Sequence, residues 1–223
     1  MRINAYVASS TGMSRRAADL AISTGRVQVG DHIASLGETV EPSTKVALDG
    51  KPLTSRATST LIMLNKPKGY ISSRTRQGKS PILFELLPEQ FQTLRTVGRL
   101  DRDSTGLILL TDDGAFIQRH THPSFEKEKV YEVTLNQPLS ISGLQSLEAG
   151  VKLSDGLSHI QVKSQKGNEL TLILSEGRNR QIRRTFAALG YKVRRLHRIQ
   201  VGKYLLENLT SGQWRELKMG SEA

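Results

Sequence analysis

Between Val97 and Leu110 the chain runs Val97-Gly98-Arg99-Leu100-Asp101-Arg102-Asp103-Ser104-Thr105-Gly106-Leu107-Ile108-Leu109-Leu110. One apolar, strand-like run (Val97–Leu100) brings a carboxylate to a tight polar turn, and a second (Leu107–Leu110) carries the chain back. Arginines flank the acid, and the 223-residue chain carries a net charge of +11. A carboxylate set among arginines in so basic a protein implies a site that handles a polyanion.

With 37% hydrophobic and 24% charged residues the chain has the composition of a folded protein. Its length allows an ordinary domain plus a small module, or two modest domains. Cysteine is absent. That excludes disulfides, thiolate catalysis and Cys-ligated zinc, and it fits a reducing compartment. No run approaches the roughly 18 apolar residues of a membrane span, and the first residues lack the apolar core of a signal peptide. A cytoplasmic location with no membrane partner is expected.

Residues 1–50 read as a small α+β module. Ile3 to Ser10 has helical spacing and Gly12 breaks it; Ser14 can cap a second helix over Arg15–Thr24, with Gly25 at its end. Val27-Gln28-Val29 and Val46-Ala47-Leu48 read as short strands with turns at Gly30-Asp31 and Asp49-Gly50. Arg15 and Arg16 sit in the first turn of a helix, where the dipole disfavours cations. With Arg26 they could form a phosphate-binding edge, or simply a solvated face. Lys51 to Thr60 is polar, carries a proline and lacks periodicity, so residues 51–60 are expected to be a linker. Residues 61–223 then form the second domain.

There the pattern is mixed. Leu61–Leu64 predicts a strand stopped by a turn, Asn65-Lys66-Pro67-Lys68-Gly69. A short helix is expected over Ile82–Leu87, another from Asp112-Asp113-Gly114 toward His120, and strands over 130–135 and 170–174. Arg180 to Leu189 predicts a helix ended by Gly190, with Arg180, Arg183 and Arg184 converging on one patch. The basic strip continues through Lys192, Arg194, Arg195, His197 and Arg198. Its single sign favours a polyanion-binding wall over a solvated charge run. Repeated βαβ units and glycine-rich nucleotide loops are missing. The fold class is therefore α+β, around a mixed, largely antiparallel sheet.

For chemistry, Asp101 with Asp103, or Asp112 with Asp113, could hold Mg²⁺ in a nuclease, but Arg99 and Arg102 compete for the first pair. The histidines are too few for zinc, and no serine-hydrolase elbow is present. No metal or cofactor is expected.

Two resemblances sharpen this. Ser14-Arg15-Arg16-Ala17-Ala18-Asp19, Gly25-Arg26-Val27-Gln28-Val29 and Leu36-Gly37-Glu38-Thr39-Val40 resemble an S4 RNA-binding domain, although Gly30-Asp31 stands where many members have Asn-Gly. Gly98 to Leu107 resembles the catalytic motif of the pseudouridine synthases that modify ribosomal RNA, in the branch with an N-terminal S4 domain. Ser104 replaces a threonine common there. Asn65–Gly69, Lys129-Val130-Tyr131-Glu132-Val133 and Glu176-Gly177-Arg178-Asn179-Arg180-Gln181-Ile182-Arg183-Arg184 agree in order and spacing.

The resemblance implies isomerisation of a uridine within RNA, with ribosomal RNA or a subunit precursor as partner. Asp101 matches the essential aspartate, acting either by attack at C1′ or through a glycal-like route. Arg183 matches its cationic partner, and Tyr131 would stack on the flipped uracil. Arg99, Leu100, Leu174 and Arg180 are expected to line the substrate pocket; a strand-core leucine would look the same as Leu174. Arg15, Arg16, Arg26, Lys66, Lys68, Arg184, Arg194 and Arg195 are expected to contact RNA. The segment from Glu176 to Gln181 looks somewhat closer to large-subunit enzymes. A noncatalytic ribosome-assembly factor and a metal-dependent nuclease are the alternatives. A monomer is expected, since no coiled coil calls for another chain.

Overall fold

The computed structural model describes residues 1–41, 43–54, 59–122, 125 and 127–218. Helices α1 (Ile3–Thr11) and α2 (Arg15–Ser23) open the chain. Gly12 ends α1 in the left-handed region at φ 80°, and the Ser14 hydroxyl caps α2 by accepting from Ala17 N. Both helices pack on a four-stranded antiparallel sheet of β1 (Val27–Val29), β2 (His32–Ile33), β3 (Val46–Leu48) and β4 (Lys51–Leu53), ordered β2-β1-β3-β4. This module has its own apolar centre, built around Ile3, Val7, Ala18, Ile22, Val27 and Val46.

The expected linker is corrected at its start. Lys51–Leu53 pairs in register with β3, Lys51 opposite Leu48 and Leu53 opposite Val46. Pro52 disguised the strand in sequence, but β4 is an edge, where a missing N–H is tolerated. Residues 55–58 of that stretch lie outside the described residues.

The second sheet has nine strands. Its main path is β11 (Gln161–Lys166), β12 (Glu169–Leu174), β8 (Lys129–Leu135), β13 (Val193–Val201), β7 (Thr105–Thr111), β5 (Leu61–Lys66) and β15 (Trp214–Leu217). The flanking strands β6 (Arg95–Val97) and β14 (Tyr204–Leu205) pair with β7 and β13. All pairings are antiparallel except β13 with β7, so the sheet is mixed.

Strands β5 and β7 are apolar without alternation because both faces are covered. Ile62, Leu64, Ile108 and Leu110 face the larger core, while Leu61, Met63, Leu107 and Leu109 face a smaller one with Phe116. Helix α3 (Gly114–Thr121) starts at Asp113, whose carboxylate accepts from Ala115 N and Phe116 N. Helix α4 (Ile141–Ala149), the hairpin β9 (Val151–Leu153) and β10 (Gly156–Ser158), and α5 (Gln181–Ala188) complete the domain.

Two strand limits differ from expectation. Asn65 and Lys66 continue β5, opposite Leu107 and Gly106, rather than entering a turn. The strand before the aspartate stops at Val97, because Gly98 leaves it at φ 74°. Where β7 meets β13, Gly106 stands at φ 104°, and a Cβ there would lie 2.2 Å from Arg198 O. Only glycine permits this parallel contact. It fixes the origin of β7, and with it the Asp101 turn, against β13.

Candidate active site

The turn is built from inside. Ser104 N donates to Asp101 O at 3.1 Å, closing a tight turn over residues 101–104. Beneath it lies Lys66, fully buried, whose ammonium donates to Asp101 O at 3.0 Å, Ser104 O at 2.8 Å and Pro67 O at 3.2 Å. Three donors meet three carbonyls. Burial pushes this amine down to about 8, against the pull of the Asp101 and Asp103 charges. Lys66 was expected on RNA; its position makes it a support of the turn instead. On the approach, the Ser72 hydroxyl donates to Leu100 O at 2.9 Å and accepts from Leu100 N at 3.2 Å.

Arginines hold the carboxylates from the opposite wall. Arg180 Nη1 lies 3.5 Å from Asp101 Oδ2 and 3.0 Å from Asp103 Oδ1. Arg183 engages Asp103: its Nη2 donates to Asp103 O at 3.1 Å, and its Nε stands 3.2 Å from Oδ2 as a charge contact without hydrogen-bond alignment. The expected pairing is thereby redistributed. Arg180 reaches Asp101, while Arg183 fixes the neighbouring Asp103 and Val193 O. Burial alone would raise Asp103, yet the hydrogen bond from Arg180 and the charges of both arginines hold it below the ordinary carboxylate range.

Arg180 is not the first helical residue of α5 but its cap, in the left-handed region at φ 47°. A non-glycine residue there costs about 1–2 kcal/mol. The cost buys direction, because it turns the side chain toward both acids. The loop before it is anchored by buried Gln181, which donates to Ser158 Oγ at 3.0 Å and to Glu176, and accepts from Arg178 N at 3.2 Å. Arg184 points away. It pairs with Asp155 at 2.7 Å beside Arg178, so the expected convergence of three arginines holds for two.

Asp101, Arg180, Tyr131, Leu174, Arg99 and Leu100 line one cavity of about 410 Å³, a size suited to a nucleotide-scale ligand. Tyr131 and Leu174 come from paired strands β8 and β12 and are largely buried. Arg198, seen in sequence only as part of a basic strip, also lines this cavity; it is buried, with Nε donating to Leu107 O at 2.8 Å. Lys129 joins the lining and is lowered chiefly by burial.

The other basic residues separate by partner. Arg15, Arg16, Lys68 and Arg194 are exposed. Arg26 is held by Asp49 through two hydrogen bonds of 2.8 and 2.6 Å, and Arg195 pairs with Glu132 at 3.3 Å. These two are less available to phosphate than the sequence suggests. Lys66, Ser72 and Gln181 carry no signal of their position in the sequence, since each has a partner distant along the chain: Asp101, Leu100 and Ser158.

A carboxylate at a pinned turn shares one cavity with an aromatic ring and an arginine, which makes this space the candidate active site. Residues 60–188 match the RNA pseudouridylate synthase family, and the chain belongs to that family. It is thus an RNA pseudouridine synthase, an isomerase that modifies RNA. The ribosomal small subunit pseudouridine synthase A of Salmonella typhimurium (strain LT2) is 37% identical over 222 residues, covering 97% of this chain and 96% of that protein. An uncharacterized RNA pseudouridine synthase of Aquifex aeolicus is 38% identical over 223 residues, covering 97% and 92%. Among solved structures, a pseudouridylate synthase crystal structure has a TM-score of 0.70 and 32% identity, over 97% of this chain and 96% of that one.

Proposed function

We propose that this enzyme converts a uridine of small-subunit ribosomal RNA to pseudouridine, with Asp101 as the catalytic carboxylate. The observation that carries the reading is the shared cavity: Asp101, Tyr131, Leu174 and Arg180 come from four separate segments and line one space. In the isomerisation the N1–C1′ bond breaks and a C5–C1′ bond forms; C5 gives up its proton and N1 gains one. Asp101 acts at the ribose, by attack on C1′ or by taking a ribose proton. Tyr131 offers its ring to the uracil and offsets part of the unstacking cost. Arg180 fixes the carboxylate in direction.

The resemblance of the Glu176–Gln181 segment to large-subunit enzymes favours the other ribosomal RNA. The small-subunit reading rests on nearly full-length similarity to a protein of that name, and a likeness spread over the whole chain outweighs six residues. The front module is assigned as an S4-type RNA-binding domain. Exposed Arg15 and Arg16 at the start of α2 form its phosphate edge, and a short tether to the second domain would raise the local RNA concentration at the cavity.

Site-resolved pseudouridine mapping on unmodified small- and large-subunit ribosomal RNA, with no metal added, tests the proposal. One uridine converted in the small-subunit RNA supports it. Conversion confined to the large-subunit RNA would refute the substrate assignment and leave the chemistry standing.

A further inference from the structure

A second cavity, of about 490 Å³, lies on the far side of the catalytic turn. Lys68, Lys79 and Arg102 line it with Tyr70 and Pro81, and its lining contains no carboxylate. All three cations are exposed, and no ion pair occupies any of them among the described residues. That is unlike the neighbouring arginines 180, 183 and 184, each spent on an aspartate. Like charges brought together without a counter-charge repel one another, so the arrangement is costly unless an anion enters.

The cavity is also built. Ile71 N donates to Pro81 O at 3.0 Å and Leu83 N to Ile71 O at 3.0 Å, tying its two chain segments together. Arg102 Nη1 donates to Ser80 Oγ at 3.2 Å, and Gly69 N donates to Arg102 O at 2.8 Å. Arg102 follows Asp101 directly, so its Cα lies about 3.8 Å from that of the carboxylate that lines the first cavity. The turn is a thin wall between two spaces. One side carries the acid; the other carries three cations, an aromatic ring and neutral residues.

We propose that this second cavity binds the nucleotide adjoining the target uridine, with its phosphate among Lys68, Lys79 and Arg102 and its base against Tyr70. This rests on the reading of the enzyme as an RNA uridine isomerase. A target that leaves its stack drags its neighbours to the rim of the site, and a fixed neighbour limits how the uridine can enter. Phosphate contacts give affinity, and the ring gives a sequence-tolerant stack. Because Arg102 belongs to the turn itself, occupancy of the shelf also braces the segment that carries Asp101.

The test measures binding of the full chain to an unmodified small-subunit ribosomal RNA transcript over a series of salt concentrations. Lys68→Ala with Lys79→Ala strips two of the three cations around that one phosphate, so the slope of log K against log salt should become shallower by up to about 0.8. Tyr70→Leu should weaken binding about tenfold with the slope kept, since stacking displaces no counterions. Tyr70→Phe should restore affinity. Coincident slopes for the double variant and the wild type would overturn the proposal, as would full affinity in Tyr70→Leu. Conversion by the wild type is scored separately. A transcript that is bound with the expected slopes yet not modified counts against the substrate assignment and in favour of the shelf.

Discussion

Arginines at the Asp101 turn and arginines on the front module stand in different surroundings. At the turn, Arg180 and Arg183 are bound to carboxylates and backbone carbonyls, and half or more of each side chain is covered. On α2, Arg15 and Arg16 stand exposed in a first helical turn that has no acidic residue. The first set holds a shape. The second presents its charge to solvent. Arg26, on the same module as the second set, behaves like the first because Asp49 takes its Nε–Nη2 edge through two hydrogen bonds. Sequence counts these cations alike; their acceptors separate them.

The largest expected loss lies beneath the turn. Lys66→Met keeps the bulk but takes the ammonium donor from three carbonyls, of which Asp101 O keeps its bond from Ser104 N, and it should destabilise the protein by about 2–4 kcal/mol at pH 7. The gap should widen as pH rises. Wild-type Lys66 titrates near 8 when folded and near 10.5 when unfolded. Between those values the unfolded chain binds the extra proton, so folding is relieved of the cost of a buried charge as pH climbs through that window. Wild type should therefore gain up to about 3 kcal/mol relative to Lys66→Met between pH 8 and 10.5. Denaturant melts of both proteins at several pH values check this; a gap that narrows would contradict the burial of a charged amine.

Next comes Arg180→Gly, which relaxes the left-handed backbone while removing the cation. Stability should change by less than about 1 kcal/mol, because the relieved strain offsets the lost ion pairs. Conversion should fall about a hundredfold, as for other preorganised donors. Equal losses in stability and rate would mean that Arg180 serves the fold alone.

The smallest effects belong to the front module. Arg15→Ala with Arg16→Ala should reduce the salt slope of RNA binding by about 1.5, with the rate at saturating RNA held. Arg26→Ala should alter the slope by much less, its charge being already neutralised by Asp49. Equal slope changes in the two proteins would erase the distinction between free and partnered cations.

The parts of the fold legible in sequence were those with local causes. Gly12 and Ser14 punctuate the first two helices, Asp113 starts α3, and β5 and β7 announce themselves by unbroken apolar runs. Strand β11 was hidden because most of its residues are exposed and polar, so no alternation marks it. Strand β15 joins β5 across about 150 residues, a pairing that no local pattern encodes. The site divides in the same way. Asp101, Tyr131 and Arg180 stand in motifs visible in the sequence, Leu174 looks like any strand-core leucine, and one cavity brings the four together. Lys66 was misread because two lysines beside a proline look like a surface turn, whereas β5 carries the first of them into the interior. The exchange of roles between Arg180 and Arg183 depends on one residue's left-handed φ, which arginine does not advertise.

On the proposed function, the pinned turn presents one carboxylate to a bound uridine. Asp101→Asn keeps the side chain's size and leaves Lys66 its backbone acceptor. The decisive measurement pairs conversion in single turnover with the Kd for the same ribosomal RNA. Conversion should fall by at least about a thousandfold while Kd stays within about twofold. Retained conversion would contradict the account, and so would a loss of binding equal to the loss of rate in a protein that still folds.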